Sequence, residues 1–434
     1  MILDPDERTG RLRLGALALA VLLLFTFLPF ALVPLLTGTR PAAPLAVLAD
    51  PYLRSVIGFT LTQATLSTLL SLVAGTLLAL ALHRTRFPGR ALLLHLFLLP
   101  QALPVLVGAL GLLAVFGRNG LVSDLAVMLG LGRISIYGLP GILLAHVFFN
   151  MPLVARLVLG ALGGVPAETW RLAGHLAFSP AATFRFIEAP AALRALPGAA
   201  ILVFTLCATS FTLVLVLGGG PAATTMEVAI YQSLRYDFDP GRAVTLALVQ
   251  IALVSLLVVP GLLLRTGEAD GFGLGALPRR YDRRALGWRM ADALVVLLGT
   301  LLLVLPLLAL AVDGLAADLG SLLASQAFRD ALATSLLIAG AASVLGLLGS
   351  LALARAASAA TAAGRRRWRT LIFTLPASLV LLVPPVVVGA GWFLTLRGLG
   401  DVARFAPAVV VLANATIILP YALRILEPEV AQAD

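Results

Sequence analysis

Lysine is absent from this chain of 434 residues; all 31 basic residues are arginine, against 21 acidic ones, for a formal net charge of +10. Without lysine there is no phosphate-binding loop of the form GxxxxGK[ST], whose lysine reaches the terminal phosphates. If ATP is used, a partner chain handles it. The arginine-for-lysine bias itself fits a GC-rich codon usage. Cys207 is the single cysteine and stands in an apolar run, which excludes an internal disulfide and a thiolate cluster. The four histidines, His83, His95, His146 and His175, have no metal-ligand spacing. No His, Asp, Glu or Cys residues gather at one depth as a polytopic membrane enzyme would require, so no catalytic residue, metal or cofactor is expected.

Charge of either sign is scarce. Only 12% of residues are charged, against about 25% in soluble domains. The arginines are spread over short loops and form no single patch, so the sequence pI of 11.0 does not point to nucleic acid. Alternating segments of about ten residues, the mark of a membrane β-barrel, are missing. No Asp or Glu stands in the middle of an apolar stretch, which weighs against a secondary transporter with coupling-ion groups deep in its spans.

What is there is apolar: 60% of residues are hydrophobic and the mean hydropathy is +1.03. Stretches of about 18 or more such residues recur and predict membrane-spanning helices. Ten spans are expected, over 14–37, 56–82, 91–116, 138–162, 197–217, 243–264, 291–312, 331–354, 371–394 and 405–425. The first is too long for a signal-peptide core and lacks a convincing cleavage site, so an uncleaved helix is expected. With the N-terminus in the cytoplasm, twenty arginines lie in inner segments, among them Arg84, Arg171, Arg185 and Arg194. Nine lie in outer ones, from Arg40 to Arg404. The positive-inside rule thus sets the orientation.

The chain repeats itself. "AHVFFNMPLVARL" at 145–157 matches "ANATIILPYALRI" at 413–425, pairing Pro152 with Pro420 and Arg156 with Arg424. The stretches 97–117 and 373–398 also correspond. A Gly-rich, charged segment at 265–290 reads as a cytoplasmic linker between a first half, 1–264, and a second, 291–434. Both halves start on the same side, so the repeat is parallel and the pathway is expected between them. The second half holds four spans against six, and Asp434 corresponds to Pro166. The chain is therefore expected to be C-terminally incomplete, a fragment or an early-terminated reading frame.

One polar segment interrupts the lipid-like pattern, "PAETWRLAGHLAFSPAATFRFIEAP", at 166–190. Pro166 and Glu168 suit a helix start, and "SP" at 179–180 breaks the helix and caps the next one. A second short helix is expected to end before Pro190. Two readings fit this pattern. It is either a docking device for a partner or an interfacial loop packed on its own bundle.

The segment resembles the coupling loop of ATP-binding-cassette importer permeases, in which E-A-A, three residues, Gly, nine residues and I-x-L-P recur. Ala177 takes the glycine position, Ile187 the isoleucine and Pro190 the proline. Arg171, Leu172 and Ala173 fall on E-A-A, where only the last alanine is kept. Residues 184–250, with "FTLVLVLGGGP" and "AIYQSLRYDFDPGRA", look like the fused permease of thiamine and thiamine pyrophosphate importers. Fused iron(III) permeases share the twelve-span plan and are the alternative.

The resemblance implies an all-α polytopic membrane protein of the type I importer fold, with two parallel repeats of about six spans. It implies a bacterial inner-membrane subunit that moves thiamine or thiamine pyrophosphate by alternating access. Two copies of a cytoplasmic ATPase subunit and an outer substrate-binding protein would be its partners. The coupling loop falls at about 165–195. Glu168, Arg171, Leu172, Ala173, Gly174, Leu176, Ala177, Phe178 and Arg185 are the candidates for ATPase contact. The polar span residues Gln63, Gln101, Asn150, Thr209, Ser210, Thr212 and Asn414 are candidates for the pathway or for helix–helix glue. Glu227, Tyr231 and Asp237 are candidates for contact with the binding protein. Gly75 and Gly349 fit close helix packing.

Overall fold

A computed structural model of the chain describes residues 5–38, 49–220, 223–264, 285–361, 385–397 and 400–433, with isolated positions between 372 and 383. Among the described residues the chain is helical and contains no strand. Long helices are what an apolar environment demands, because a helix satisfies its backbone N–H and C=O groups within one segment. Among the described residues, eight helices are long and apolar enough to cross a membrane, and three shorter apolar ones accompany them.

The helices used below are α1 (Pro5–Thr37), α2 (Pro51–Arg84), α3 (Arg90–Leu96), α4 (Val105–Phe116), α5 (Leu121–Met128) and α6 (Leu139–Gly163). Then come α7 (Ala167–His175), α8 (Pro180–Ala208), α9 (Thr212–Leu217), α10 (Met226–Arg235), α11 (Pro240–Leu264), α12 (Leu286–Ala316), α13 (Gln326–Thr361), α14 (Pro385–Arg397) and α15 (Val402–Ala433).

Two expectations are revised, and a third lies partly outside the described residues. The span at 91–116 is broken: α3 ends at Leu96, Leu103 is extended, and Pro104 caps the start of α4. Pro100 and Pro104 explain the break, since proline removes a backbone donor and pushes the preceding residue out of the helical region. The span at 197–217 stops at Ala208 and resumes as the short α9. The span at 371–394 is only partly visible, because 371, 375, 378–379, 381–382 and 384 lie outside the described residues, as do 265–284 of the linker.

The chain forms two compact units that do not follow its order. The first gathers Met1–Arg54, Met226–Ser255 and Asp318–Asp434. In it α13 pairs with α15, and α1 lies along α13 and α14. Its core is alanine-rich, with Leu22, Leu353, Ala354, Ala356, Ala357, Ala360 and Leu419 buried together. Small residues let the helix backbones approach: a Cβ on Gly15 would lie 2.2 Å from the Ala356 Cβ. Ser350 donates to the Gly346 carbonyl at 2.6 Å and to that of Leu419 at 3.2 Å. The Trp392 indole stacks on Phe25, centroids 5.3 Å apart, and donates to the Phe25 carbonyl at 2.9 Å.

The second unit holds Ser55–Thr225 and Leu256–Ala317. Here α6 packs on α8 and α4 packs on α12. The α2–α6 crossing is close enough at Gly75 that a Cβ would sit 2.6 Å from the Val154 side chain. The first helix of the chain, α1, thus belongs with the late helices, whereas α12 belongs with the early ones.

Candidate functional site

The polar segment begins at Pro166, the N-cap of α7, with Glu168 in the first turn. Its stop is a Schellman motif. The Phe178 N–H donates to the Ala173 carbonyl at 3.0 Å and the Ala177 N–H to that of Gly174 at 3.1 Å. This geometry requires a left-handed residue after the C-cap, a position that favours glycine, and Ala177 occupies it with φ 49°. This chain meets the left-handed turn with alanine, at a conformational cost. Ala177→Gly is expected to stabilise the segment by about 1 kcal/mol, read as a higher unfolding midpoint in detergent. No gain would show that the left-handed turn is unstrained.

Ser179 then caps α8, accepting from the Ala182 N–H at 3.2 Å, with Pro180 at the first helical position. The second helix does not end before Pro190 as expected; it continues to Ala208 through a π-helical turn at Phe184–Glu188. The wider turn changes the hydrogen-bond pattern just where Pro190 removes a donor, so the proline breaks nothing.

Trp170, Ala173 and Ile187 form the buried side of the segment, with Val165 and Phe178 packed against them. The opposite side carries Leu172, 58% exposed, Leu176, 60%, and Phe186, 62%. Glu168, Arg171, Ala177 and Arg185 are exposed there as well, and Gly174 is half-buried. Of the candidates for ATPase contact, Ala173 therefore faces inward and Phe178 half inward. Sequence reasoning missed Phe184 and Phe186, two aromatics flanking Arg185, whose guanidinium lies 5.6 Å from the Phe186 ring. Their presence in a polar segment was the available signal.

Sequence reasoning also missed Glu188, which is fully buried. Arg84, in the last turn of α2, grips it: Nε lies 3.1 Å from both carboxyl oxygens, and a terminal nitrogen closes on Oε2.

The polar residues in the spans divide into two sets. Gln63, Ser67, His146, Asn150 and Cys207 are all buried and join α2, α6 and α8. Gln63 donates to the Cys207 carbonyl at 2.9 Å, Ser67 Oγ lies 2.8 Å from His146 Nδ1, and Asn150 reaches the Cys207 sulfur at 3.5 Å. The Cys207 carbonyl, where α8 ends at Ala208, accepts from the Ser210 N–H at 3.4 Å and at shorter range from the amide of a neighbouring helix. This is helix–helix glue in form. Ser67 and His146 were not singled out beforehand, although polar residues in apolar runs were the signal.

The second set lies at helix ends or on faces. Thr209, Ser210 and Thr212 are half-buried at the break between α8 and α9. Gln101 donates to the Phe149 carbonyl at 2.8 Å from an exposed position, and Asn414 is exposed on α15.

Glu227 on α10 is fully buried, and its carboxyl accepts from Gln250 Nε2 at 3.0 Å. Tyr231 is half-buried beside Tyr236, and Asp237 is exposed. Glu227 stands outside the spans, and burial pushes its carboxyl from 4.5 up to about 8. Glu227 Oε2 and Gln250 Oε1 each lack a hydrogen-bond partner among the described residues; a proton on the carboxyl supplies the donor. A raised acid holds its proton in the folded state over a range where the unfolded chain has lost it. Its stability contribution is full below 4.5 and is lost as pH rises through about 8. The expected result is a lower melting temperature at about pH 8 than at about pH 5, with Glu227→Gln abolishing that part of the slope. An unchanged slope in the variant would place the titration elsewhere.

These features define a polytopic, all-α membrane protein with a two-helix segment anchored on one side and exposed on the other. No protein-family model matches the chain. It is 47% identical over 381 residues to the thiamine transport system permease protein ThiP of Brucella abortus (strain 2308), covering 87% of this chain and 69% of that one. The permease of the same name from Escherichia coli (strain K12) is 43% identical over 383 residues, 88% of this chain and 71% of its own. That of Haemophilus influenzae is 36% identical over 389 residues, 87% and 70%. The chain belongs to the thiamine transport system permease family.

Proposed function

We propose that this chain is the membrane-spanning permease subunit of an ATP-driven importer that moves thiamine or thiamine pyrophosphate across the bacterial inner membrane. Identity of 36–47% across most of the chain with permeases named for thiamine transport supports that substrate over iron(III). The arginine distribution supports a cytoplasmic N-terminus, which puts α7 and the start of α8 in the cytoplasm and α10 outside.

The observation that carries the mechanism is the division of the 166–190 segment into an anchored side, Trp170, Ala173 and Ile187, and an exposed apolar side, Leu172, Leu176 and Phe186. A rigid helix with an unpartnered apolar face fits a groove on a soluble partner. In this reading the partner is an ATPase subunit, present in two copies, and it performs the hydrolysis. The chain itself makes and breaks no bonds. A binding protein outside delivers the vitamin to a face that includes Tyr231 and Asp237. The sequence halves 1–264 and 291–434, joined by the 265–290 linker, rock between outward- and inward-facing states. Thr209, Ser210 and Thr212, half-buried where α8 breaks, are the pathway candidates best placed to meet a substrate.

Two measurements test the reading. Expressed with its neighbouring genes, the purified chain should bring down an ATPase subunit, and deletion within 166–190 should abolish this. Radiolabelled thiamine uptake should depend on the chain and be insensitive to competing iron(III). An intact pair without the segment, or uptake blocked by iron(III), would refute the segment's role or the substrate, respectively.

A further inference from the structure

The 166–190 segment is tied to the rest of its unit by two consecutive residues at the end of α2. His83 lies against Trp170 of α7, ring centroids 5.3 Å apart, and its Nδ1 is 3.9 Å from Glu188 Oε1. Arg84 holds Glu188, the last residue of the π-helical turn, through Nε and a terminal nitrogen. Its other terminal nitrogen lies 3.5 Å from Asp292 Oδ1 near the start of α12. Glu188 is fully buried and Asp292 nearly so. One guanidinium therefore joins three elements far apart in sequence: the end of α2, the exit of the polar segment and the start of α12.

Bulk stability is a poor reason for such a cluster. Desolvating three charges offsets most of their attraction, and well-packed apolar residues in their place are often neutral or better. What an Arg fork between two carboxylates provides is direction, because its planar donors fix the relative orientation of the groups that hold them.

We propose that the Arg84–Glu188–Asp292 cluster transmits displacement of the 166–190 segment to α2 and α12, so that the segment and these two helices move as one body. The proposal rests on the reading of the segment as the ATPase-docking element. Glu188 and Asp292 are positioning residues: they touch neither substrate nor ATPase, and they act by holding Arg84. Without the charged link, Arg84 no longer ties the exit of the segment to α12, and the segment slides against α2 and α12 when the ATPase pulls on it.

The test uses the full permease–ATPase complex in proteoliposomes with the binding protein supplied. Asp292→Asn removes one limb of the cluster while keeping shape. The expected result is normal co-purification of the ATPase, continued ATP hydrolysis and a roughly tenfold fall in thiamine carried per ATP, restored by the charge-conserving Asp292→Glu. Glu188→Gln should lower the same ratio. A wild-type ratio in either assembled variant overturns the proposal, as does failure of both to assemble, which would assign the cluster to folding alone. If the wild-type chain brings down no ATPase, it is the docking reading that fails.

Discussion

A chain carrying Leu172→Glu and Leu176→Glu together is expected to reach the membrane in normal amounts, bring down no ATPase subunit and take up no thiamine. Both residues are more than half exposed; Leu172 stands within α7, where glutamate is a good helix former, and Leu176 is the C-cap just beyond it, so the fold has little to lose. An interface has much to lose. Two carboxylates pressed into an apolar groove are desolvated without partners, at several kcal/mol each, and every 1.4 kcal/mol is tenfold in affinity. Association should fall by about a thousandfold or more. Arg171→Ala, a charge on the edge of the same helix, should weaken the complex slightly. The decisive measurement is quantitative pull-down beside uptake: binding at wild-type strength by the double variant would remove Leu172 and Leu176 from the docking face.

The second large effect concerns folding. Arg84→Ala is expected to destabilise the protein by about 3–5 kcal/mol, the cost of breaking a buried pair by deleting one member. Glu188 keeps its charge and its burial but loses the donor that contacts both of its oxygens. Adding Glu188→Gln to Arg84→Ala should recover a large part of the loss, because the amide carries no charge to desolvate. The coupling between the two substitutions, read by a double-mutant cycle on unfolding in detergent, should therefore be strongly non-additive. Arg84→Lys should fall between, since an ammonium cannot reproduce a fork that serves both Glu188 and Asp292. Additive effects would mean that the two residues act separately.

Local rules made much of the polar segment legible. Pro166, Glu168 and the Ser179–Pro180 pair mark helix starts by chemistry that operates within a few residues, and α7 and α8 begin where these signals stand. Which side of α7 is buried was not legible. Trp170 with Ala173 and Leu172 with Leu176 are two apolar ridges on one short helix, and only tertiary packing decides between them. Glu188 was hidden for the converse reason: a carboxylate near a span end reads as a surface group until Arg84, 104 residues earlier, is found beside it. The break before α4 was legible in Pro100 and Pro104 but was outvoted by the apolar run around them. Which spans pack together was not legible at all, because Leu-, Val- and Ala-rich helices offer much the same surface to any neighbour.

That pairing of early with late helices has a consequence for biosynthesis. Phe25 of α1 accepts its hydrogen bond from Trp392, 367 residues further along. At about 5–20 residues per second, α1 waits in the bilayer for roughly twenty seconds to over a minute before that partner is made. Meanwhile its Gly15 face, shaped for Ala356, is open to lipid and to other nascent helices. Neither unit can close until translation has passed α12, so a ribosome stalled within the linker would leave both units unfinished in the membrane. Conversely, a chain cut in the linker and produced as two pieces should regain its structure only when both are made in the same cell.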